Sequence, residues 1–392
     1  MTHALIIGGG IAGPVTAMAL RKAGLSATVY EAYPTGADDV GAFLTIMSNG
    51  LDALRAVDLH ELVLEHSFRA RRVEFLSGSG KRLGEMPLTG EESGRIGPRT
   101  LKRATLYRVL HDELRRRGIP IEHGRRLVDA GSTPGGGVVA TFADGGTAEG
   151  DLLVGADGIH SATRALVDPA APRPRYTGLH SVYGYTRDTT HTAEPNTYRM
   201  IYGKRAFFGY TTDPDGETWW FANTPGPERD RASTTAAQWR EFAAGLFTRD
   251  RTPAAEIIRS SGEDVIGSNA YDLPSVPAWH RDGMLVVGDA AHAASPNAGQ
   301  GASMAAEDGV VLAQCLRDLP DVPSAFRAYE RLRRERVERL VAASARMGDN
   351  KMPGLVKRLV RDALMPRMLA RGGSDSAAWL TRHHIEWSEP VS

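Results

Sequence analysis

Two glycine-rich blocks, about 280 residues apart, constrain this chain more than any other feature. The first runs from Ala4 through Gly8, Gly10, Ile11 and Ala12 to Gly13. The second starts at Met284, passes through Gly288-Asp289-Ala290-Ala291-His292 and Pro296, and reaches Gly299-Gln300-Gly301. Each is a short apolar run, the mark of a buried strand, that stops at glycine and passes into helical spacing. Backbone N–H groups at a helix start stabilise anionic phosphate. One such site holds half of a dinucleotide. Two in one chain predict a large dinucleotide held at its diphosphate and at its far end, for which FAD is the candidate.

Gly8, Gly10 and Gly13 have the spacing G-x-G-x-x-G, which serves a tight turn, close approach to a pyrophosphate, and close helix–strand packing. Glu31 ends the next strand, about 20 residues on, where an acidic side chain binds a ribose hydroxyl. In the second block, Asp289 at a strand end suits a ribitol or ribose hydroxyl. The helix start near Gly301 suits negative charge on a flavin ring. Gly155-Ala156-Asp157-Gly158, followed by Ser161 and Arg164, reads equally as a functional loop or a simple Asp-Gly turn. Arg103, in Leu101 to Leu106, reads from the sequence alone as a solvated surface arginine. His292 has no partnered nucleophile and reads as structural. The basic run Arg331 to Arg336 alternates with glutamate at helical spacing and reads as a solvated helix face.

The chain has 392 residues, more than one core usually supports. Three pieces are expected to build an α/β, Rossmann-like nucleotide-binding domain: residues 1–72, 99–172 and 277–349. Residues 73–98 and 173–276, rich in aromatic and β-branched residues, are expected to form an inserted antiparallel sheet carrying the substrate site. Residues 350–392 are expected to be helical. Within this plan, helices are expected over 10–23, 49–66, 101–117, 235–247 and 323–347, a hairpin around Gly78-Ser79-Gly80, and one strand over 147–154. The helix at 323–347 could serve a dimer or close the nucleotide-binding domain.

Lys+Arg and Asp+Glu both number 47, so no global field draws the chain to nucleic acid or a membrane. One cysteine, Cys315, rules out an intrachain disulfide or a cysteine metal site, and no metal is expected. The apolar N-terminal stretch is broken by three glycines and Pro14 and lacks a basic start, unlike a secretion signal. No stretch approaches the roughly 18 apolar residues of a membrane span. The expectation is a soluble cytoplasmic protein, monomer or homodimer, with a small-molecule substrate and no nucleic-acid or membrane partner.

The motifs, in this order and spacing, resemble the single-component FAD-dependent aromatic hydroxylases, the para-hydroxybenzoate hydroxylase-like group. The likeness is strongest to its short members, similar to salicylate and urate hydroxylases and tetracycline-inactivating monooxygenases. It rests on Gly8–Gly13 with Glu31, Val40-Gly41-Ala42 with Asn49-Gly50, and Arg103 with Leu106 and Leu110. It rests also on Gly155–Gly158 with Ser161 and Arg164, and on Gly288–His292 through Pro296 and Gly299–Gly301 to Glu307-Asp308. The resemblance implies that Gly8, Gly10, Ile11, Ala12 and Gly13 line the FAD diphosphate. It places Glu31 and Ala32 at the adenosine ribose, Arg103 near the diphosphate, and Leu127 among the cofactor contacts. Asp157 would serve FAD and the nicotinamide donor, and Asp289 the ribityl–phosphate side. Pro296, Gly299, Gln300, Gly301 and Ala302 would pass the isoalloxazine, with Thr45 and Ile46 near the mobile flavin. This chain departs from many relatives at Ser303, where asparagine is common, and at Val15 and Thr16.

The activity so implied is a monooxygenase using NAD(P)H as a transient hydride donor and O2, through a C4a-hydroperoxyflavin. The product would be a hydroxylated aromatic or polyketide-like molecule. The chain shows no second dinucleotide fold, as expected if the donor binds and leaves. Epoxidation, Baeyer–Villiger insertion, or a non-catalytic FAD-binding module are the alternatives; flavin halogenation lacks its tryptophan signature. Alternate strand residues share a face, so Tyr183, Tyr185 and Arg187 point together, as do Trp219, Phe221 and Asn223. Tyr185, Trp219, Phe221 and Asn223 are candidate pocket residues, and the resemblance adds Arg205. No catalytic base is assigned.

Overall fold

The computed structural model describes residues 2–35, 42–88, 95–230, 234–351, 354–370 and 378–392. Val40 and Gly41, part of the expected motif set, lie outside them. The strand–helix–strand unit is β1 (His3–Ile7), α1 (Ala12–Lys22) and β2 (Ser26–Glu31). β3 (Phe43–Ile46) leads into α2 (Ser48–Ala56) and α3 (His60–Glu65). The single helix expected over 49–66 is thus two, because Asp58 turns into the left-handed region at φ +61°. β4 (Phe68–Arg69) precedes the expected hairpin, β5 (Arg72–Ser77) and β6 (Arg82–Pro87). β7 (Arg99–Lys102) precedes α4 (Arg103–Arg116). Leu101 and Lys102 were expected to be helical but pair with Leu44 and Phe43 of β3.

β8 (Ile121–His123), β9 (Leu127–Ser132), β10 (Val138–Phe142), β11 (Thr147–Gly150) and β12 (Leu152–Gly155) follow. The one strand expected over 147–154 divides at Asp151: β11 pairs antiparallel with β10, and β12 runs parallel to β1. Next come α5 (Ala162–Val167), β13 (Arg175–Thr186), β14 (Thr197–Tyr202), β15 (Phe207–Thr212) and β16 (Thr218–Pro225). α6 (Ala236–Phe247), α7 (Ala254–Arg259), β17 (Ile266–Asp272), β18 (His280–Arg281), β19 (Met284–Val286) and α8 (Asp289–His292) complete the middle of the chain. The C-terminal part holds α9 (Gly301–Asp318), α10 (Val322–Lys351), α11 (Leu355–Ala370) and α12 (Ala378–Thr381).

The nucleotide-type sheet has the order β18-β19-β12-β1-β2-β8 and is parallel except at β18. Its central strands are largely apolar, as strands covered on both faces are: Leu5, Ile6, Val29, Leu152, Val154 and Leu285 are fully buried. The large sheet has the order β17-β13-β16-β15-β14-β5-β6. It was expected to be antiparallel, but β14 and β5 run parallel. β5 and β6 reach it from another part of the chain, so no hairpin dictates their direction. One face carries Val182, Ile201, Phe208, Tyr210, Trp220 and Ala222 against α6 and α7. The other face turns toward β3 and the second glycine block.

α10 closes the nucleotide side by packing Phe326, Tyr329, Val337 and Leu340 into its core. Its basic run was expected to be a solvated face, and the structure corrects this. Arg333 is 1% exposed, between Glu307 and Asp308 of α9, and Arg336 also bonds Glu307. The end of the chain is not helical as expected. Residues 382–392 dock as an extended tail, with His384 Nδ1 2.8 Å from Asp52 and the Val391 N–H donating to Asp318 at 2.8 Å.

Candidate functional site

The site begins at one edge of the parallel sheet. β1, β12 and β19 are in register, with Ile7 beside Gly155 and Gly155 beside Val286. Their C-terminal ends therefore deliver Gly8, Asp157 and Gly288 to one line, where such sheets bind ligands. Gly8 takes φ +108°, and a Cβ on Gly13 would lie 1.9 Å from the Gly8 carbonyl oxygen. Both positions demand glycine. A Cβ on Gly10 would meet no atom within 4 Å, so this backbone borders open space in front of α1. Ile11 and Ala12 open the helix, whose first N–H groups have no intrahelical acceptor.

Gly9 is clamped from both sides. Its N–H donates to Glu31 Oε2 at 2.6 Å, and His111 Nε2 donates to its carbonyl at 2.6 Å. Burial pushes the His111 pKa down against the pull of this carbonyl, which favours the neutral ring. Glu31 Oε1 accepts from the Tyr33 N–H at 2.9 Å. Each carboxylate oxygen keeps a second lone pair for a ribose hydroxyl, and Ala32 stands half-buried beside it. His111 was not singled out in the sequence. The available signal was its place on the apolar stripe of α4, one position after Leu110.

Asp157 folds its own loop. It accepts from Ser161 Oγ at 2.5 Å and from Thr163 N and Oγ1 at 3.0 Å each. Burial raises its pKa against these hydrogen bonds. Arg164 ties the loop to the second block through the Ala290 carbonyl at 3.1 Å.

The second block is held by a buried charge cluster. Asp308 Oδ2 accepts from the Gly288 N–H at 2.8 Å and from His292 Nε2 at 2.6 Å, while Oδ1 accepts from Arg333 Nε at 2.8 Å. Glu307 takes Arg333 at 2.5 Å, Arg336 at 2.8 Å and Asn49 Nδ2 at 2.7 Å. Although burial opposes ionisation, these cations hold Glu307 and Asp308 down to about 2. His292, 5% exposed, is held within this cluster by Asp308. Gly288, at φ +60°, would place a Cβ 3.1 Å from Ala12, so the two glycine blocks meet.

Beyond Gly288 the surface opens. The Asp289 carboxylate is exposed and takes no hydrogen bond among the described residues. Pro296, Gly299 and Gly301 are exposed, Ala302 is half-buried, and a Cβ on Gly299 would meet nothing within 4 Å. Gln300 is buried and accepts from Asn49 Nδ2 at 3.2 Å. Asn49 Oδ1 is buried there without a partner among the described residues. α9 starts at this point, with its free N–H groups and positive dipole end. Ser303 fills the space over Gly50, whose Cβ would lie 2.6 Å from Ser303 Oγ. Arg103, the first residue of α4, is exposed with its guanidinium unpaired among the described residues. An open glycine edge, an unpaired cation, an unpaired carboxylate and an orphan amide oxygen fit a long phosphate-bearing dinucleotide.

The large sheet supplies the opposite wall. Trp219 pairs with Tyr185 and Phe221 with Tyr183 across β16 and β13, so their side chains share a face. Phe43 of β3 meets Tyr185, Tyr198, Trp219 and Phe221 with ring centroids 5.7–6.4 Å apart. Asn223 donates to Asn297 at 3.0 Å, linking this face to the loop beside Pro296. Tyr198 was not anticipated; its hydroxyl lies 2.9 Å from Thr45 Oγ1 and 2.8 Å from Thr100 Oγ1. Burial raises its pKa to about 12, and Tyr185 higher still, so both remain phenols. Lys102 Nζ sits 4.4 Å over the Tyr185 ring and 2.8 Å from Glu217. Ile46 is buried in the main core. Leu127 is buried with Tyr30 and Phe142. Arg205 is not brought to this face: it is exposed in the β14–β15 turn and donates to the Gly245 carbonyl of α6 at 3.4 Å. Arg187 donates to the Asp215 carbonyl at 2.8 Å and lies 3.8 Å from Glu217, the carboxylate that also pairs with Lys102.

A split-glycine dinucleotide edge facing an aromatic sheet defines a flavin-dependent oxidoreductase. The chain belongs to the FAD binding domain family, whose pattern matches residues 1–344. It is 31% identical over 392 residues to aurachin C monooxygenase/isomerase of Stigmatella aurantiaca, covering 98% of each chain. It is 32% identical over 385 residues to 3-amino-4-hydroxybenzoate 2-monooxygenase PtnB3 of Streptomyces platensis, covering 96% of this chain and 94% of the other. Among solved structures it resembles Klebsiella pneumoniae HpxO complexed with FAD and uric acid, with TM-score 0.84, 26% identity and 93% of each chain covered. The chain is an FAD-dependent monooxygenase, an oxidoreductase acting on small molecules.

Proposed function

We propose that this monooxygenase takes electrons from NAD(P)H, uses O2, and hydroxylates a flat aromatic or polyketide-like molecule bound between the large sheet and the second glycine block. The observation that carries this reading is the aromatic wall of Phe43, Tyr185, Trp219 and Phe221, which Asn223 ties to Asn297 beside that block. Gly8, Gly10, Gly13 and the start of α1 would take the diphosphate, with Arg103 neutralising it. Glu31 would bind the adenosine ribose, and Asp289 the ribityl side. When bound, FAD supplies hydride acceptance and oxygen activation. The α9 start would stabilise negative charge on the ring through its N–H groups. Phe43, Trp219 and Phe221 would orient the substrate and exclude water, which protects a reactive oxygen donor. Tyr185 and Tyr198, held as phenols, can donate hydrogen bonds but not remove a proton.

The parallel sheet and its helices then act as the cofactor unit and the large sheet as the substrate unit, in a cytoplasmic monomer or homodimer. Uric acid and 3-amino-4-hydroxybenzoate, named for two of the similar proteins, are flat ring compounds, which supports the aromatic class. The test is turnover under ¹⁸O₂ with a panel of phenols, aminobenzoates and quinolones, with products read by mass spectrometry. One ¹⁸O atom in an aromatic product supports hydroxylation. Consumption of the nicotinamide with hydrogen peroxide as the sole product across the panel would refute the substrate class.

A further inference from the structure

The largest exposed apolar side chains of the described residues are concentrated on α11. Val356, Leu359, Val360, Leu364 and Met368 are 48–73% exposed. Their spacing places them on one stripe, three and four residues apart. The opposite side of α11 rests on the large sheet: Leu369 packs over Gly84 of β6, the Arg361 guanidinium lies 4.3 Å over Tyr202, and Arg358 donates to the Lys204 carbonyl at 3.2 Å. The stripe is therefore the free face of a docked helix.

Its charge is one-sided. The chain as a whole is neutral, yet α11 carries Lys357, Arg358, Arg361 and Arg367 against Asp362 alone. Asp362 is already paired with Arg361. Lys357 and Arg367 are exposed on the stripe's side of the helix, and exposed Lys204 and Arg205 lie at the turn that Arg358 contacts. An exposed apolar face that also carries cations, whose long basic side chains reach back to the headgroups, is a pattern of a helix lying in a membrane interface.

We propose that α11 docks the protein on the surface of a bilayer containing anionic phospholipid. A second copy of this chain fits less well. Two α11 helices facing each other about a two-fold axis would bring cations against cations, with the one acidic side chain already paired. No described helix is long and apolar enough to cross a membrane, and a surface-lying helix needs no spanning segment. The absence of a membrane partner was expected from spanning segments and net charge, and neither bears on this geometry. A run of rings joins the docked side of α11 to the aromatic face. Tyr202, under Arg361, is 5.1 Å from Phe207, which is 6.1 Å from Phe221.

The test is co-sedimentation of the full-length, FAD-loaded protein with phosphatidylcholine vesicles, with and without phosphatidylglycerol. Binding is expected with the anionic vesicles and should weaken as salt rises from about 0.1 to about 0.5 M. The triple variant Leu359→Ser, Val360→Ser, Leu364→Ser should lower the partition coefficient by about ten-fold or more. Lys357→Glu with Arg367→Glu should weaken binding to the anionic vesicles alone. These side chains are exposed, so flavin content and melting temperature should not change. No sedimentation with anionic vesicles would overturn the proposal, as would binding that the triple variant leaves intact. So would a dimer, seen by light scattering, that the triple variant dissociates in the absence of vesicle binding.

Discussion

Replacing Arg333 by methionine removes the cation shared by two carboxylates that are themselves fully buried. Glu307 and Asp308 are both 0% exposed, and Arg333 reaches them at 2.5 and 2.8 Å. Methionine keeps much of the packing but leaves charge uncompensated, a loss of about 3–5 kcal/mol for a buried pair broken on one side. The pH dependence fixes the cause. In the parent protein both carboxyls sit at about 2, below their unfolded values. Their contribution is therefore fully present above about pH 4.5 and is lost as pH falls toward 2. In the variant their folded pKa values rise, so acid protonates them and relieves the penalty. Chemical denaturation at pH 7 and pH 5 should show a large stability gap that narrows in acid. Adding Asp308→Asn to the variant should recover part of it. A gap below about 1 kcal/mol at pH 7, or one that does not change with pH, would refute the argument.

Gly10→Val should fold normally, since its Cβ faces open space, yet lower FAD affinity at least about ten-fold, or 1.4 kcal/mol, in a fluorescence titration. Gly13→Ala should fail to form the loop at all, because its Cβ meets the Gly8 carbonyl at 1.9 Å; circular dichroism and flavin content would show it. Arg103→Ala should leave the melting temperature unchanged and weaken FAD about ten-fold, since its guanidinium has no partner among the described residues. Burial lowers the His383 pKa to about 4, so its protonation opposes folding. Stability should fall between about pH 6.5 and pH 4, and His383→Asn should flatten that decline in denaturant titrations.

The parts of the site that local chemistry dictates were legible in the sequence. Gly8 and Gly13 are required by a turn and a contact only a few residues long, and the Gly288 and Gly299 backbones follow the same logic. Arg333 was misread because glutamate and arginine at helical spacing look alike on a wet face and around a buried charge cluster. A finer sign was present: Arg333 falls on the stripe of Phe326, Tyr329, Val337 and Leu340, all buried. Tyr198 and Phe43 were out of reach because their contacts join strands about 150 residues apart, and no local pattern sets that register. The pairing of Trp219 with Tyr185 was foreshadowed by the alternation of each strand, but only the sheet puts both on one face. Arg205 was carried over from a resemblance, and its turn points it to α6 instead.

The central claim is that the glycine edge holds an FAD that NAD(P)H reduces and that the aromatic face holds the substrate beside it. The direct measurement is anaerobic mixing of FAD-loaded protein with NADPH and then NADH, following the visible flavin band with and without a pool of phenolic and polyketide compounds. The account predicts bleaching that accelerates with one fraction of the pool, and loss of that acceleration in Trp219→Leu with FAD binding retained. A flavin that neither nucleotide bleaches, with any compound present, would contradict it.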